Sequence, residues 1–245
     1  MTVAEFFGCT FLVFGPVLSM FILTLANDPI RIIIFIAAAF FWLLSLLVSS
    51  LIWFLLSPLF DALIVGVVVS VICQEAARYL VFELLRRTET GLLEFTDNNS
   101  IIQNKHILAY VSGLGFGTSS GIFILTNVLA DMVGPATYGL NIDESQIFPK
   151  NNFFLISSAL TLAIVLLNTF WNIILFDGCK HSNYKKIVYV IFTHFFVSLI
   201  SLLNQQGYHV ITLTAVYLST IVTGTITYKT VGGSLQNFTK FITCK

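Results

Sequence analysis

The apolar residues of this chain come in long runs, and run length constrains the fold more than any motif. A helix rises 1.5 Å per residue, so about 20 apolar residues bridge the roughly 30 Å hydrocarbon core of a bilayer. Seven runs of that length can be drawn, at approximately Phe6–Ala26, Ile32–Leu56, Ala62–Phe82, Ile107–Val133, Phe153–Phe176, Ile187–Leu203 and Ile211–Val231. The chain is 57% hydrophobic and only 10% charged, against about 25% charged in an average soluble domain. Its mean hydropathy is +0.91. These properties predict an all-α integral membrane protein: a seven-transmembrane-helix bundle forming a single polytopic domain over residues 1–245. The connections are short except for Arg86–Lys105 and Gly134–Asn152, and neither leaves room for a soluble domain. Seven threonines dilute the apolar signal of the last run.

Formal net charge is zero, so its distribution carries the information. With an odd number of spans, Arg31, Arg86, Arg87, Lys105, Lys180, Lys185, Lys186, Lys229, Lys240 and Lys245 share one side. Lys150 alone falls on the other, and Arg78 lies within the third span. The positive-inside rule then predicts a lumenal or extracellular N-terminus and a cytosolic C-terminus. The first run has Glu5 ahead of it, Arg31 behind it and no small-residue cleavage site, so it reads as a retained span rather than a signal peptide. Sequons at Asn98 and Asn237 fall on the predicted cytosolic side and are expected to carry no glycan. Cys9 and Cys73 lie in spans, while Cys179 and Cys244 lie on the reducing side. No Cys/His spacing resembles a metal site, and no cofactor is implied.

Within the fourth run, Gly113, Gly117 and Gly121 recur every four residues. Each step advances about 6 Å and turns about 40° past a full circle, leaving a nearly straight groove without side chains. In lipid, helices gain little from the hydrophobic effect on meeting, so small-residue grooves are a main route to close packing. The spacing predicts close packing against another helix as the role of these glycines.

Polar residues inside the membrane are costly and therefore candidates for chemistry. Glu75 and Arg78 are three residues apart on one helix face. They read either as an ionisable couple in a transport path or as a neutralised pair with Arg78 snorkelling toward the headgroups. Asn168 lies eight residues before the cytosolic end of the fifth span and His194 about seven after the start of the sixth. Both then sit roughly 10–12 Å deep, which predicts a direct hydrogen-bonded pair between neighbouring helices. The threonines of the seventh span either line a polar cavity or return their hydroxyls to the preceding turn.

Catalytic templates fail. In Gly113-Leu114-Gly115-Phe116-Gly117, glycine stands where a membrane serine protease would place its nucleophile. Asp131 and Asp177 fall at opposite ends of their spans, so they cannot share a proton as an aspartyl dyad does. The HExxH motif of a zincin is absent. The chain is therefore expected not to be an enzyme.

The stretches EFFGCTFLVFGP (Glu5–Pro16), NDPIRIIIFIAAAFFWLLSLLVSSLIW (Asn27–Trp53), QEAARY (Gln74–Tyr79), AYVSGLGFG (Ala109–Gly117), NTFWNIILFDGC (Asn168–Cys179) and VGGS (Val231–Ser234) carry a resemblance over essentially the whole chain. Together they resemble the anterior-pharynx-defective-1 subunit of gamma-secretase. That resemblance implies a seven-span, non-catalytic scaffold. It would bind nicastrin and help mount presenilin and the presenilin enhancer into an active protease, one that supports Notch signalling. The two catalytic aspartates would belong to presenilin. It also implies residence in the endoplasmic reticulum, Golgi and plasma membrane. The family's GxxxGxxxG motif maps onto Gly113, Gly117 and Gly121, which implies a role for these glycines in complex assembly, and its sixth-span histidine maps onto His194. Its fifth-span histidine is replaced by Asn168, which keeps a donor and an acceptor but cannot be protonated.

Seven spans with the N-terminus outside also describe a G-protein-coupled receptor, but a DRY-like motif, NPxxY and a lumenal cysteine pair are missing. A small transporter using Glu75, Arg78 and His194 is the third alternative. The odd span count and lack of a repeat pair weigh against it.

Overall fold

The computed structural model describes residues 3–57, 63–94, 105–133 and 150–234. The sequons at Asn98 and Asn237 and Cys244 lie outside the described residues. The described residues form α1 (Val3–Thr24), α2 (Pro29–Leu56), α3 (Leu63–Glu94), α4 (Lys105–Val133), α5 (Lys150–Lys180), α6 (Tyr184–Ser201) and α7 (His209–Thr230), with no strand among them. All seven helices are long and apolar enough to cross a membrane.

Local chemistry sets the helix ends. Asp28 caps α2 by accepting the Ile30 N–H at 3.0 Å, and Pro29 occupies the first turn, where a missing N–H costs nothing. Arg31 sits 3.3 Å from the Asp28 carboxylate and donates to the Thr24 carbonyl at the end of α1, joining two helix ends. Between α6 and α7 a 3-10 turn, Leu202–Gln206, ends at Gly207 with φ of 84°. Nothing lies within 4 Å of where its Cβ would be, so glycine is required there for conformation rather than for space.

The third helix runs past the expected end at Phe82. Glu83 takes Arg86 at 2.9 Å and Arg87 at 2.8 Å, so i,i+3 and i,i+4 ion pairs carry the helix onward through charged residues. A span stops where apolar residues stop, but a helix need not.

The arrangement is a central pair with five helices around it. In α4 and α5, 61% and 67% of the spanning window is buried, against 17–28% in the other five. The core gathers Trp42 of α2, Phe116 of α4, Leu167 and Trp171 of α5, Val190 and Val197 of α6 and Val216 of α7. Ile33, Phe40, Leu47 and Phe54 of α2 face outward, as do Leu218 and Val222 of α7.

The α7 threonines mostly bond back along their own helix. Thr214, Thr220 and Thr227 donate to carbonyls four residues earlier, and Thr225 to one three residues earlier. Thr223 instead meets the Tyr189 hydroxyl of α6 at 3.0 Å.

Candidate functional site

Two constructions meet on α5. One is a seam of glycines, the other a chain of polar side chains, and both lie in the bundle interior.

The glycine stripe of α4 lies against α5 of the same chain. A Cβ on Gly113 would stand 2.9 Å from the Thr169 carbonyl oxygen, and one on Gly117 would stand 2.5 Å from the Val165 carbonyl oxygen. At Gly121 it would meet a Val165 methyl at 2.6 Å. Two of these three contacts are with backbone, which cannot rotate away. Asn172 closes the same seam, donating to the Ala109 carbonyl at 3.0 Å and to the Ser112 hydroxyl at 2.6 Å. Gly115 was not singled out by its sequence position. It is two residues off the stripe, so it points to the other side of α4, and its Cβ would come within 2.5 Å of the Phe35 carbonyl oxygen of α2. The one available signal was the alternation Gly113, Gly115, Gly117, which places glycine on two faces of one helix.

The polar chain begins at His194 of α6, whose Nδ1 lies 2.6 Å from Oε1 of Glu75 on α3. That same oxygen is 3.5 Å from Arg78 Nε, an ion-pair contact rather than a hydrogen bond. Arg78 then donates through Nη2 to the Asn168 side-chain oxygen at 2.9 Å and through Nη1 to the Asn168 backbone carbonyl at 3.3 Å. The Asn168 amide continues to the Ser120 hydroxyl of α4 at 3.2 Å and the Ile164 carbonyl at 3.1 Å. Four helices are thereby joined by one connected path.

Two expectations are corrected here. Asn168 and His194 do not pair directly: their recorded partners are Arg78, Ser120 and Ile164 for the first, and Glu75 and Trp171 for the second. Matched depth brings two residues to one level but leaves the rotation of each helix open, and α3 inserts its ion pair between them. Nor does Arg78 snorkel to the headgroups. Its side chain is fully buried, with the guanidinium carbon 5.4 Å from the Phe116 ring centroid and 5.7 Å from that of Trp171. Both aromatic rings favour a cation. The His194 ring stacks on Trp171 at 4.6 Å between centroids.

The family model described as Aph-1 protein matches residues 4–234. The chain belongs to the Aph-1 family. A curated relative from Drosophila melanogaster, gamma-secretase subunit Aph-1, is 54% identical over 245 residues, covering all of both chains. Gamma-secretase subunit APH-1B of Homo sapiens is 39% identical over 254 residues, covering all of this chain and 95% of the relative. A more distant match, gamma-secretase subunit APH1-like of Arabidopsis thaliana, is 30% identical over 212 residues and 83% of each chain. These matches favour an Aph-1 subunit over a G-protein-coupled receptor, and with the seven helices of spanning length they support a multi-pass membrane protein.

Proposed function

We propose that this chain is the scaffold subunit of a gamma-secretase complex and performs no chemistry of its own. Full-length similarity to proteins named gamma-secretase subunits carries this conclusion. The buried polar groups support it from the physical side. Arg78 is closed off by Glu75, Asn168 and two aromatic rings, and His194 by Glu75 and Trp171. A carboxylate, a guanidinium and an imidazole clustered in this way hold helices together, because each would be far costlier in lipid alone.

In this reading the chain binds nicastrin and helps mount presenilin and the presenilin enhancer, with presenilin supplying the catalytic aspartates. The N-terminus is lumenal and the C-terminus cytosolic, and the complex resides in the endoplasmic reticulum, Golgi and plasma membrane. The glycine seam acts on assembly at one remove, by fixing the α4–α5 unit against which the other helices stand. The test is purification in mild detergent with mass-spectrometric identification of what accompanies the chain. Presenilin, nicastrin and the presenilin enhancer are expected in one assembly, whereas a chain that purifies alone refutes the scaffold role. A glycosidase-sensitive mass shift at Asn98 would reverse the orientation.

A further inference from the structure

Among the described residues, a cavity of about 490 Å³ opens where the charged end of the third apolar run, Tyr79–Arg86 of α3, meets the last turns of α5 and the first turns of α4 and α6. It is separate from the polar chain, since neither Glu75, Arg78, Asn168 nor His194 lines it. Its volume is in the usual range of ligand pockets, roughly 300–1,000 Å³. The buried part of its lining is largely apolar, formed by Leu108, Ala109 and Phe176 beside the Asp177 carboxylate, with Phe82 and Ile187 extending the wall. Arg86, Lys180 and His106 supply basic groups to the same lining.

The carboxylates in that lining are already matched. Glu83 accepts from both Arg86 and Arg87. Asp177 holds Lys186 Nζ at 2.5 Å and His181 Nδ1 at 3.2 Å. One carboxylate shared by two guanidiniums leaves a cationic excess, and Lys180 has no acidic partner among the described residues. With the adjoining Arg87 and Lys186 counted, the cavity therefore pairs an apolar floor with a rim in which cations outnumber carboxylates. A small inorganic anion would meet the rim and leave the floor to water, while an apolar molecule would leave the cations unused. A phosphate ester carrying acyl chains satisfies both. Tyr79 and Tyr184, 52% and 75% exposed, border the opening. Tyrosine, like tryptophan, is enriched at headgroup level.

We infer that this cavity seats an anionic phospholipid from the leaflet that meets the basic helix ends. The phosphate faces Lys180 and Arg86, and the first acyl carbons lie along Phe82, Phe176 and Ile187. Basic pockets between spans are a recognised way of holding such headgroups. The assignment needs only that Arg86, His106 and Lys180 share one membrane face, and it is independent of which subunits the chain joins.

The test places the full chain, with whatever it assembles with, in nanodiscs of phosphatidylcholine doped with phosphatidylglycerol. Retained lipid is then counted by native mass spectrometry. Phosphatidylglycerol is expected to be retained in preference, and Lys180→Gln or Arg86→Gln to lower its retention about fivefold, the effect of one cation near an anionic lipid. Lys229→Gln, in the last turn of α7 and outside the cavity lining, is expected to change nothing. Equal retention by the unsubstituted chain and both cavity variants overturns the proposal, as does an equal loss with Lys229→Gln. Complete displacement by inorganic phosphate overturns the lipid in favour of a free anion. A photoreactive group at Ile187 should crosslink to lipid, and crosslinking to polypeptide alone overturns the proposal too.

Discussion

The glycine seam between α4 and α5 and the polar chain from α6 to α4 hold helices together by opposite means. At the seam the side chains are removed, and backbone lies so close that a single added carbon at Gly117 would overlap the Val165 carbonyl. Along the polar chain the side chains are long and charged, and they bridge a gap the backbones do not close. The first mode gains many weak dispersion contacts at minimum separation. The second gains a few directed contacts whose worth depends on every partner being present. A seam is broken by adding atoms, a chain of polar groups by removing one.

The sharpest way to break this contrast is Gly117→Leu. A leucine cannot be housed against backbone, so the expected outcome is loss of the assembled complex on native gels. Even Gly117→Ala is expected to cost about 1–3 kcal/mol, the usual range for overpacking. Gly8 and Gly15 of α1 are the control, because nothing lies within 4 Å of either Cβ position. Alanine at those positions should shift stability by no more than about 1 kcal/mol, and a loss there equal to that at Gly117 would remove close approach as the cause.

Next in size is Arg78→Met. It leaves Glu75 buried with His194 as its remaining recorded partner and leaves the Asn168 side-chain oxygen without its donor. Removing one member of a buried pair typically costs about 3–5 kcal/mol, so thermal stability in detergent should fall markedly. Arg78→Met with Glu75→Gln in the same chain should be less destabilising than the single change. A double variant worse than the single would show that the two residues act independently.

His194→Ala is expected to cost less, about 1–3 kcal/mol for an unmatched buried acceptor, plus the stack on Trp171. Asn168→His keeps a nitrogen able to accept from Arg78 and should be milder still. Equal losses in co-purified partners would mean the polar chain does not act through these contacts. The smallest effect is expected for Thr214→Val, whose exposed hydroxyl bonds only to the Val210 carbonyl of its own helix. Its midpoint of unfolding should stay within about 0.5 kcal/mol of the unsubstituted chain.

Run length and hydropathy were sufficient for the seven helices, because lipid admits few other solutions for a 20-residue apolar run. Which way each helix faces was much harder to read. A helix that is apolar nearly all round carries little amphipathic signal, so matched depth suggested Asn168 with His194 while rotation delivered Arg78 and Glu75 as the intervening partners. The end of α3 was hidden for a different reason: Glu83, Arg86 and Arg87 mark the limit of the apolar run and at the same time stabilise continuation of the helix. Trp171 gave no warning of its place between Arg78 and His194, since an aromatic residue in an apolar run looks the same whether it faces lipid or a cation.

Glycines on two faces of α4 have a mechanical consequence. Gly115 is met by the backbone of α2, while Gly113 and Gly117 are met by that of α5. A rod gripped at backbone distance from both sides can neither spin nor slip by one residue without collision. Helices α2, α4 and α5 therefore move as a single slab, and α2 turns Ile36, Phe40, Leu47 and Leu51 outward along its free side. A neighbour that takes hold of that outer face holds, through the slab, the positions of Asn168 and Trp171 as well.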